Sequence, residues 1–337
     1  MNLGAGLTIL HECERLAGTL GLRKLYVKDD TVNPTGSFKD RPATVAVSKA
    51  LELGYKAVGC ASTGNLAAAT AAHAAKAGIP CYVFIPSNTE INKVLQAATY
   101  GAKIIAVKGT YDEANRLAAQ ASSWYDWALV NINLRPYYVE GSKTLVFETC
   151  EQLEWSTPDN IVIPMGSGAL LCAIWRGLKQ FSRVGLIDEF KTRIIGAQPG
   201  GCSPIVSAFK SNSDDVTPVE RPNTIAKSLA IGDPGDGIYA LNAIRESGGT
   251  AECATDEEIL EGIKLLAKTE GIFSEPAGGV TIAVLKKLVE AGEIPRDEEV
   301  VCCITGNGFK STDATLKIFN EPVEIEPSIE ELKKKVK

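Results

Sequence analysis

Histidine is nearly absent from this 337-residue chain: His11 and His73 are its only two. None of the nine cysteines forms a Cys-x-x-Cys pair, so no zinc site is expected. The cysteine count is odd, and most members, such as Cys60, Cys81 and Cys172, sit inside apolar runs. They read as reduced, buried small side chains of a cytosolic protein. Excess positive charge is also missing. With 35 basic and 41 acidic residues the formal net charge is -6, which gives the molecule as a whole no electrostatic reason to bind nucleic acid or an anionic membrane. An anionic substrate must then be held by a local cluster of donors. No run approaches the ~20 apolar residues needed to span a bilayer. The start Met1-Asn2-Leu3-Gly4 has no basic stretch followed by an apolar one, so neither a membrane span nor a signal peptide is expected, and the expected compartment is the cytoplasm.

At this length one core is strained and two lobes are the natural expectation. Short apolar runs alternate with helix-like segments. Leu25–Val27, Ala57–Ala61, Cys81–Ile85 and Lys103–Val107 read as strands, with Ile161–Ile163, Arg193–Ala197 and Val300–Ile304 in the second half. Between the early strands lie helical patterns at Pro42–Leu53, Asn65–Ala77, Asn92–Tyr100 and Tyr111–Ser122, three of which stop at or just before a glycine. Such alternation predicts an α/β protein with parallel sheets flanked by helices. The charged stretch from Glu321 to Lys337 reads as a surface appendage ending in a weak helix.

Ligands of such folds sit at glycine-rich turns after the strands, and three are present: Ser62-Thr63-Gly64-Asn65, Gly166-Ser167-Gly168 and Thr305-Gly306-Asn307-Gly308. The segment Gly36-Ser37-Phe38-Lys39-Asp40-Arg41 delivers a lysine to a helix start. Helix dipoles and a neighbouring Arg41 favour the neutral amine that Schiff-base chemistry requires; a solvated loop lysine is the alternative. Gly166-Ser167-Gly168-Ala169-Leu170 follows a strand and opens a helix, so its N–H groups can converge on a phosphate, or the glycines serve an ordinary tight turn. Leu171 stands where the dinucleotide fingerprint needs its third glycine, and no G-x-x-x-x-G-K-[ST] occurs, so the phosphate belongs to a smaller cofactor. Asn65 is either a donor to an aromatic hydroxyl or a helix cap.

Four ordered motifs, Gly36–Arg41, Ser62–Asn65, Glu140-Gly141-Ser142-Lys143-Thr144 and Thr305–Gly308, resemble the threonine synthase branch of the fold-type-II pyridoxal-phosphate enzymes. The similarity runs from about Gly4 to about Lys310. It implies a two-lobed, tryptophan synthase β-like fold, with a large cofactor-binding domain of residues 1–45 plus 140–337, a small mobile domain of 46–139, and a homodimer. It also implies residue roles. Lys39 would carry pyridoxal 5'-phosphate and shuttle protons, with Phe38 at its border. Asn65 would meet the cofactor's phenolic oxygen, and Gly166, Ser167, Gly168, Ala169 and Leu170 its phosphate. Thr305 would meet the ring nitrogen, where a hydroxyl makes a weaker electron sink than a carboxylate and favours elimination and replacement over transamination. Ser62, Thr63 and Gly64 would grip the carboxylate of the substrate, O-phosphohomoserine.

The chain departs from the pattern near the substrate phosphate. Leu66-Ala67 follow the asparagine turn in place of Thr-Ser, Tyr138 stands where an arginine is common, and Leu170 replaces an asparagine. Arg135, Lys143, Tyr137 and Tyr138 rebuild an anion site, or else Tyr137 and Tyr138 pack at the lobe interface and Arg135 is a surface charge. Lys227 and Ser228 form a further candidate, and Glu275 resembles a loop residue near the cofactor ring with a structural role. The alternatives left open are a cysteate synthase acting on O-phosphoserine and sulfite, a threonine dehydratase, and a non-catalytic metabolite-binding relative.

Overall fold

The computed structural model describes residues 3–89, 91–318 and 321–335. Ten strands form two sheets. The larger contains β1 (Leu10–Glu12), β2 (Lys24–Asp29), β7 (Asn160–Pro164), β8 (Arg193–Pro199), β9 (Thr250–Ala254) and β10 (Glu299–Ile304), in the order β1-β2-β10-β7-β8-β9. The smaller contains β3 (Val58–Ala61), β4 (Cys81–Pro86), β5 (Lys103–Val107) and β6 (Ala128–Leu129), in the order β5-β4-β3-β6. Every pairing is parallel except that of the edge strand β1 with β2. Strands β1 and β9 carry no strong apolar run, and β6, inside the run Trp127–Val130, is only two residues long; all three form because a neighbouring edge offers free N–H and C=O groups.

Both sheets are covered on two faces. Along β10, Val300, Cys302 and Ile304 enter one core cluster, while Val301 and Cys303 enter the other. Side chains alternate across a strand, so these two neighbouring cysteines lie on opposite sides of the sheet. All nine cysteines are free thiols, and burial pushes those of Cys60 and Cys150 up to about 12. The small sheet packs one face on Val47, Ala50, Leu134 and Tyr138, and the other on Ala118.

The helices agree with the sequence patterns to within a few residues. The alanine-rich one spans Asn65–Ala77 as expected, and Gly78 ends it at φ 69°. The helix expected from Pro42 begins earlier, at Asp40, whose carboxylate braces the entry loop by accepting from the Thr35 N–H at 2.8 Å and the Thr35 hydroxyl at 2.9 Å. That bond closes a five-residue loop around Lys39. No helix among the described residues is long and apolar enough to cross a membrane, and no group of His, Cys, Asp or Glu among them is placed to hold a metal ion. The helix Ile329–Lys335 buries nothing.

Candidate active site

The loops singled out in the sequence meet at the carboxyl ends of β10, β7 and β3, where parallel sheets expose unpaired backbone groups. The Lys39 turn is stitched to the loop after β10. Ser37 bridges Gly306, the Phe38 N–H donates to the Thr305 carbonyl at 2.9 Å, and the Asn307 N–H donates to the Gly36 carbonyl at 2.9 Å. Glu275 joins the same knot through its N–H, which donates to the Gly306 carbonyl at 2.8 Å. A side chain at Gly306 would meet the Glu275 carboxylate at 2.4 Å, so the tight approach needs glycine there.

Asn65 arrives from the small sheet. It is the first residue of its helix, Gly64 is the cap, and the Asn65 amide does not cap that helix. Its Nδ2 instead donates to both carboxylate oxygens of Glu275 at 3.1 Å, tying the two sheets together at this point. Glu275 is buried, which pushes its carboxyl up; the Asn65 hydrogen bonds pull the other way. This is the structural role anticipated for Glu275, now with a named partner. Lys310, which the motifs did not single out, closes the base: its ammonium donates to the Thr35 carbonyl at 3.0 Å and to the Gln96 side chain.

The Lys39 amine is half-buried, 4.3 Å from the centre of the Phe38 ring, and donates to the Tyr138 hydroxyl at 2.7 Å. Arg41, expected beside the amine, is turned away. Its guanidinium is fully engaged with Asp30, Glu148, Thr8 and Thr144, so it fixes the helix start rather than acting on Lys39.

The phosphate loop has the form of an anion nest. Among the described residues, the N–H groups of Gly166, Ser167 and Gly168 donate to no backbone carbonyl. The loop leads into the helix Ala169–Arg183, so its unpaired donors and the helix dipole point the same way. Gly168 lies at φ 90°, where a Cβ would stand 2.9 Å from Ala240 Cβ and 3.0 Å from the Asp236 carbonyl. Gly168→Ala is therefore expected to cost about 1–2 kcal/mol for the left-handed backbone alone, with further loss from the collision. A lowered thermal midpoint, and faster loss of cofactor on dialysis, check this.

The remaining candidates separate into two groups. Thr305 is buried, and its hydroxyl has no protein hydrogen-bond partner among the described residues. Ser62 turns inward and its hydroxyl accepts from the Gly64 N–H at 3.3 Å, while Gly64 is exposed beside Thr63. Arg135 and Lys143 do not join Lys39. Arg135 is committed to Asp236, whose own N–H donates to the Ser167 carbonyl at 3.0 Å. Lys143 is paired with Glu140 at 2.7 Å. Arg135 and Glu140 instead line a cleft of about 830 Å³ on another face of their helix, Arg135–Ser142. Tyr137 faces Lys49, whose ammonium lies 5.2 Å from the ring centre. Lys227 is exposed, and the Ser228 carbonyl would lie 3.4 Å from a side chain at Gly166. Leu66 and Leu170 are core residues. Asp236 and Lys310 were missed because nothing local marks them; both act through partners more than 60 residues away.

These groups suit pyridoxal phosphate by their own chemistry: a shielded amine, a nest of unpaired N–H donors preceding a helix, and the hydroxyl of a buried threonine with no protein partner among the described residues. The buried hydroxyls of Ser37 and Ser274 also lack protein partners, so polar capacity around this point is in surplus.

Comparison with known proteins agrees. The model of the family described as pyridoxal-phosphate dependent enzyme matches residues 1–306. A threonine synthase of Methanocaldococcus jannaschii is 46% identical over 338 residues, covering 100% of this chain and 83% of that protein. A threonine synthase of Methanosarcina acetivorans is 45% identical, covering 98% and 82%. In fold, the structure of maize serine racemase matches with a TM-score of 0.77 at 22% identity, over 92% of this chain and 91% of that one. The chain has the fold-type-II architecture and belongs to the pyridoxal-phosphate dependent enzyme family, on its threonine synthase branch.

Proposed function

We propose that the protein converts O-phospho-L-homoserine and water to L-threonine and phosphate, with pyridoxal phosphate held on Lys39. What supports this reading is the joining of the Lys39 turn to the Thr305 loop and, through Glu275, to Asn65, with the 166–170 loop following the neighbouring strand β7, in a chain 46% identical over its length to a protein named threonine synthase. Bound pyridoxal phosphate supplies an electron sink for negative charge that develops on substrate carbon.

The chain's own residues do the rest. The loop of Gly166, Ser167, Gly168, Ala169 and Leu170 holds the cofactor phosphate with its N–H groups, and Asn65 and Thr305 set the ring's position through their amide and hydroxyl. Ser62, Thr63 and Gly64 bind the substrate carboxylate at the start of the Asn65–Ala77 helix. The Lys39 amine takes the α and then the β proton. Phosphate leaves from the γ carbon, water gives its hydroxyl to the β carbon and its other proton to phosphate, and the two abstracted protons return to the α and γ carbons, so the atoms balance as threonine and phosphate.

The substrate phosphate needs donors other than Leu66 and Leu170. In this reading the lobe of residues 46–139 moves against residues 1–45 plus 140–337 and excludes water from the reaction. It also has the enzyme act as a cytoplasmic homodimer, whose mass sedimentation would read. The test of function is parallel incubation with O-phosphohomoserine, with O-phosphoserine plus sulfite, and with threonine. Threonine and phosphate released together from the first mixture is the expected result. Cysteate from the second, 2-oxobutanoate and ammonia from the third alone, or no turnover at all would each replace it.

A further inference from the structure

We propose that Tyr138 is the positioning residue for the reactive amine, its phenolic oxygen holding Lys39 Nζ in place for proton transfer, and that it is not a donor to the substrate phosphate. The inference rests on Lys39 being the cofactor-bearing residue.

Three observations carry it. The first is the contact itself. Nζ donates to the Tyr138 hydroxyl at 2.7 Å, and among the described residues no other hydrogen-bond partner reaches that amine. Tyr138 is 5% exposed, so water competes little for the bond.

The second is how the two groups are mounted. Tyr138 stands on the Arg135–Ser142 helix, and Lys39 immediately precedes the Asp40–Glu52 helix. These helices touch backbone to backbone at Gly141, where a Cβ would fall 2.6 Å from both the Arg41 carbonyl and Pro42 Cα. The Tyr138 ring is wedged into the core with Ala46, Val47 and Leu134. Main-chain packing thus fixes the phenol relative to the backbone that carries Lys39.

The third is what surrounds the phenol. A phosphate site needs several convergent donors, but Arg135 is committed to Asp236 and Lys143 to Glu140. A lysine stem has four rotatable carbons and a compact charge that settles in many places. One N–H given to a fixed oxygen removes most of that freedom and leaves the nitrogen lone pair directed away from the phenol. Pre-orientation of this kind is worth orders of magnitude, and a misplacement of about 1 Å costs about 10²-fold.

The experiment compares Tyr138→Phe, which deletes one oxygen and keeps the packing, with Tyr138→Gln, which keeps a hydrogen-bonding group and loses the ring. Cofactor is stripped from each protein, and the rate at which Lys39 captures added pyridoxal phosphate is followed by visible absorbance and borohydride trapping. Turnover of O-phosphohomoserine is then split into kcat and KM. The expected order is wild type above Gln above Phe. In Tyr138→Phe, capture slows about 10-fold or more and kcat falls roughly 10–100-fold, while KM stays within about twofold and the melting temperature is retained. Capture and kcat at wild-type rates in Tyr138→Phe, with Gln the worse variant, would mean that the ring only packs. A raised KM with kcat unchanged would return Tyr138 to the substrate phosphate. Either result overturns the proposal. If Tyr138→Phe does not fold, capture by Tyr138→Gln at least as fast as wild type overturns it equally. Should wild type itself trap no cofactor on Lys39, the underlying reading fails before any variant is compared.

Discussion

Replacing Lys39 with alanine is expected to abolish the visible band of protein-bound pyridoxal phosphate and to stop turnover. In the proposed function the amine is the nucleophile that captures the cofactor and the base that moves two substrate protons. Losing a positioned general base alone costs roughly 10²–10⁴-fold, and loss of the covalent anchor adds to it. The fold is expected to survive. Lys39 is only half-buried, and its hydrogen bond is to the Tyr138 hydroxyl, so its removal breaks no direct ion pair among the described residues. Absorbance, turnover and a thermal melt of Lys39→Ala check the three parts. Borohydride reduction of wild type, followed by peptide mapping, must place the label on Lys39. A label on another lysine, such as Lys310, would remove Lys39 from the centre of the site.

The second large effect concerns stability and lies two residues further on, at Arg41. Arg41 has no exposed side-chain surface and neither does Asp30, while Glu148 shows 12%. The guanidinium meets Asp30 at 2.7 and 2.8 Å and Glu148 at 2.6 and 2.8 Å, and Lys28, itself fully buried, adds a contact to Glu148 at 2.9 Å. A buried network of this kind need not beat an apolar core of the same shape. Removing one member is different, because it leaves a charge without its partner. Arg41→Met is expected to cost about 3–5 kcal/mol, a fall in melting temperature of roughly 5 °C for a chain of this size.

The same network predicts a pH dependence. Burial opposes the Glu148 carboxylate, yet hydrogen bonds and charge from Arg41, aided by Lys28, hold its pKa down at about 2. A depressed carboxyl stabilises the fold above its unfolded value and loses that contribution as pH falls through the folded value. From an ordinary 4.5 to about 2, the contribution is on the order of 3 kcal/mol, lost between those two pH values. Glu148→Gln is expected to be less stable than wild type at pH 7 and to show a flatter acid limb; melts from pH 7 down to 2 check both.

Much of the site was legible in the sequence. The strand–turn–helix pattern with glycine stops located the Asn65–Ala77 helix to the residue, because a left-handed stop at Gly78 is a local decision. The lysine turn, the asparagine turn and the two glycine loops were each visible for the same reason: a tight turn, a nest or a helix start needs particular residues at adjacent positions. What the sequence alone determined is therefore the set of local devices and, through their order, the family.

The partners of those devices were decided by tertiary structure. Arg41 read as a neighbour of Lys39, and along the chain it is, but two residues on at a helix start its side chain points elsewhere and finds Asp30 and Glu148. Arg135 and Lys143 read as free donors; the fold commits one to Asp236, 101 residues away, and the other to Glu140. Tyr138 met Lys39 only because Gly141 lets two helices close to backbone contact. Charge and hydrogen-bond partners are set by distances across the core, and those distances depend on packing that no local stretch of sequence encodes.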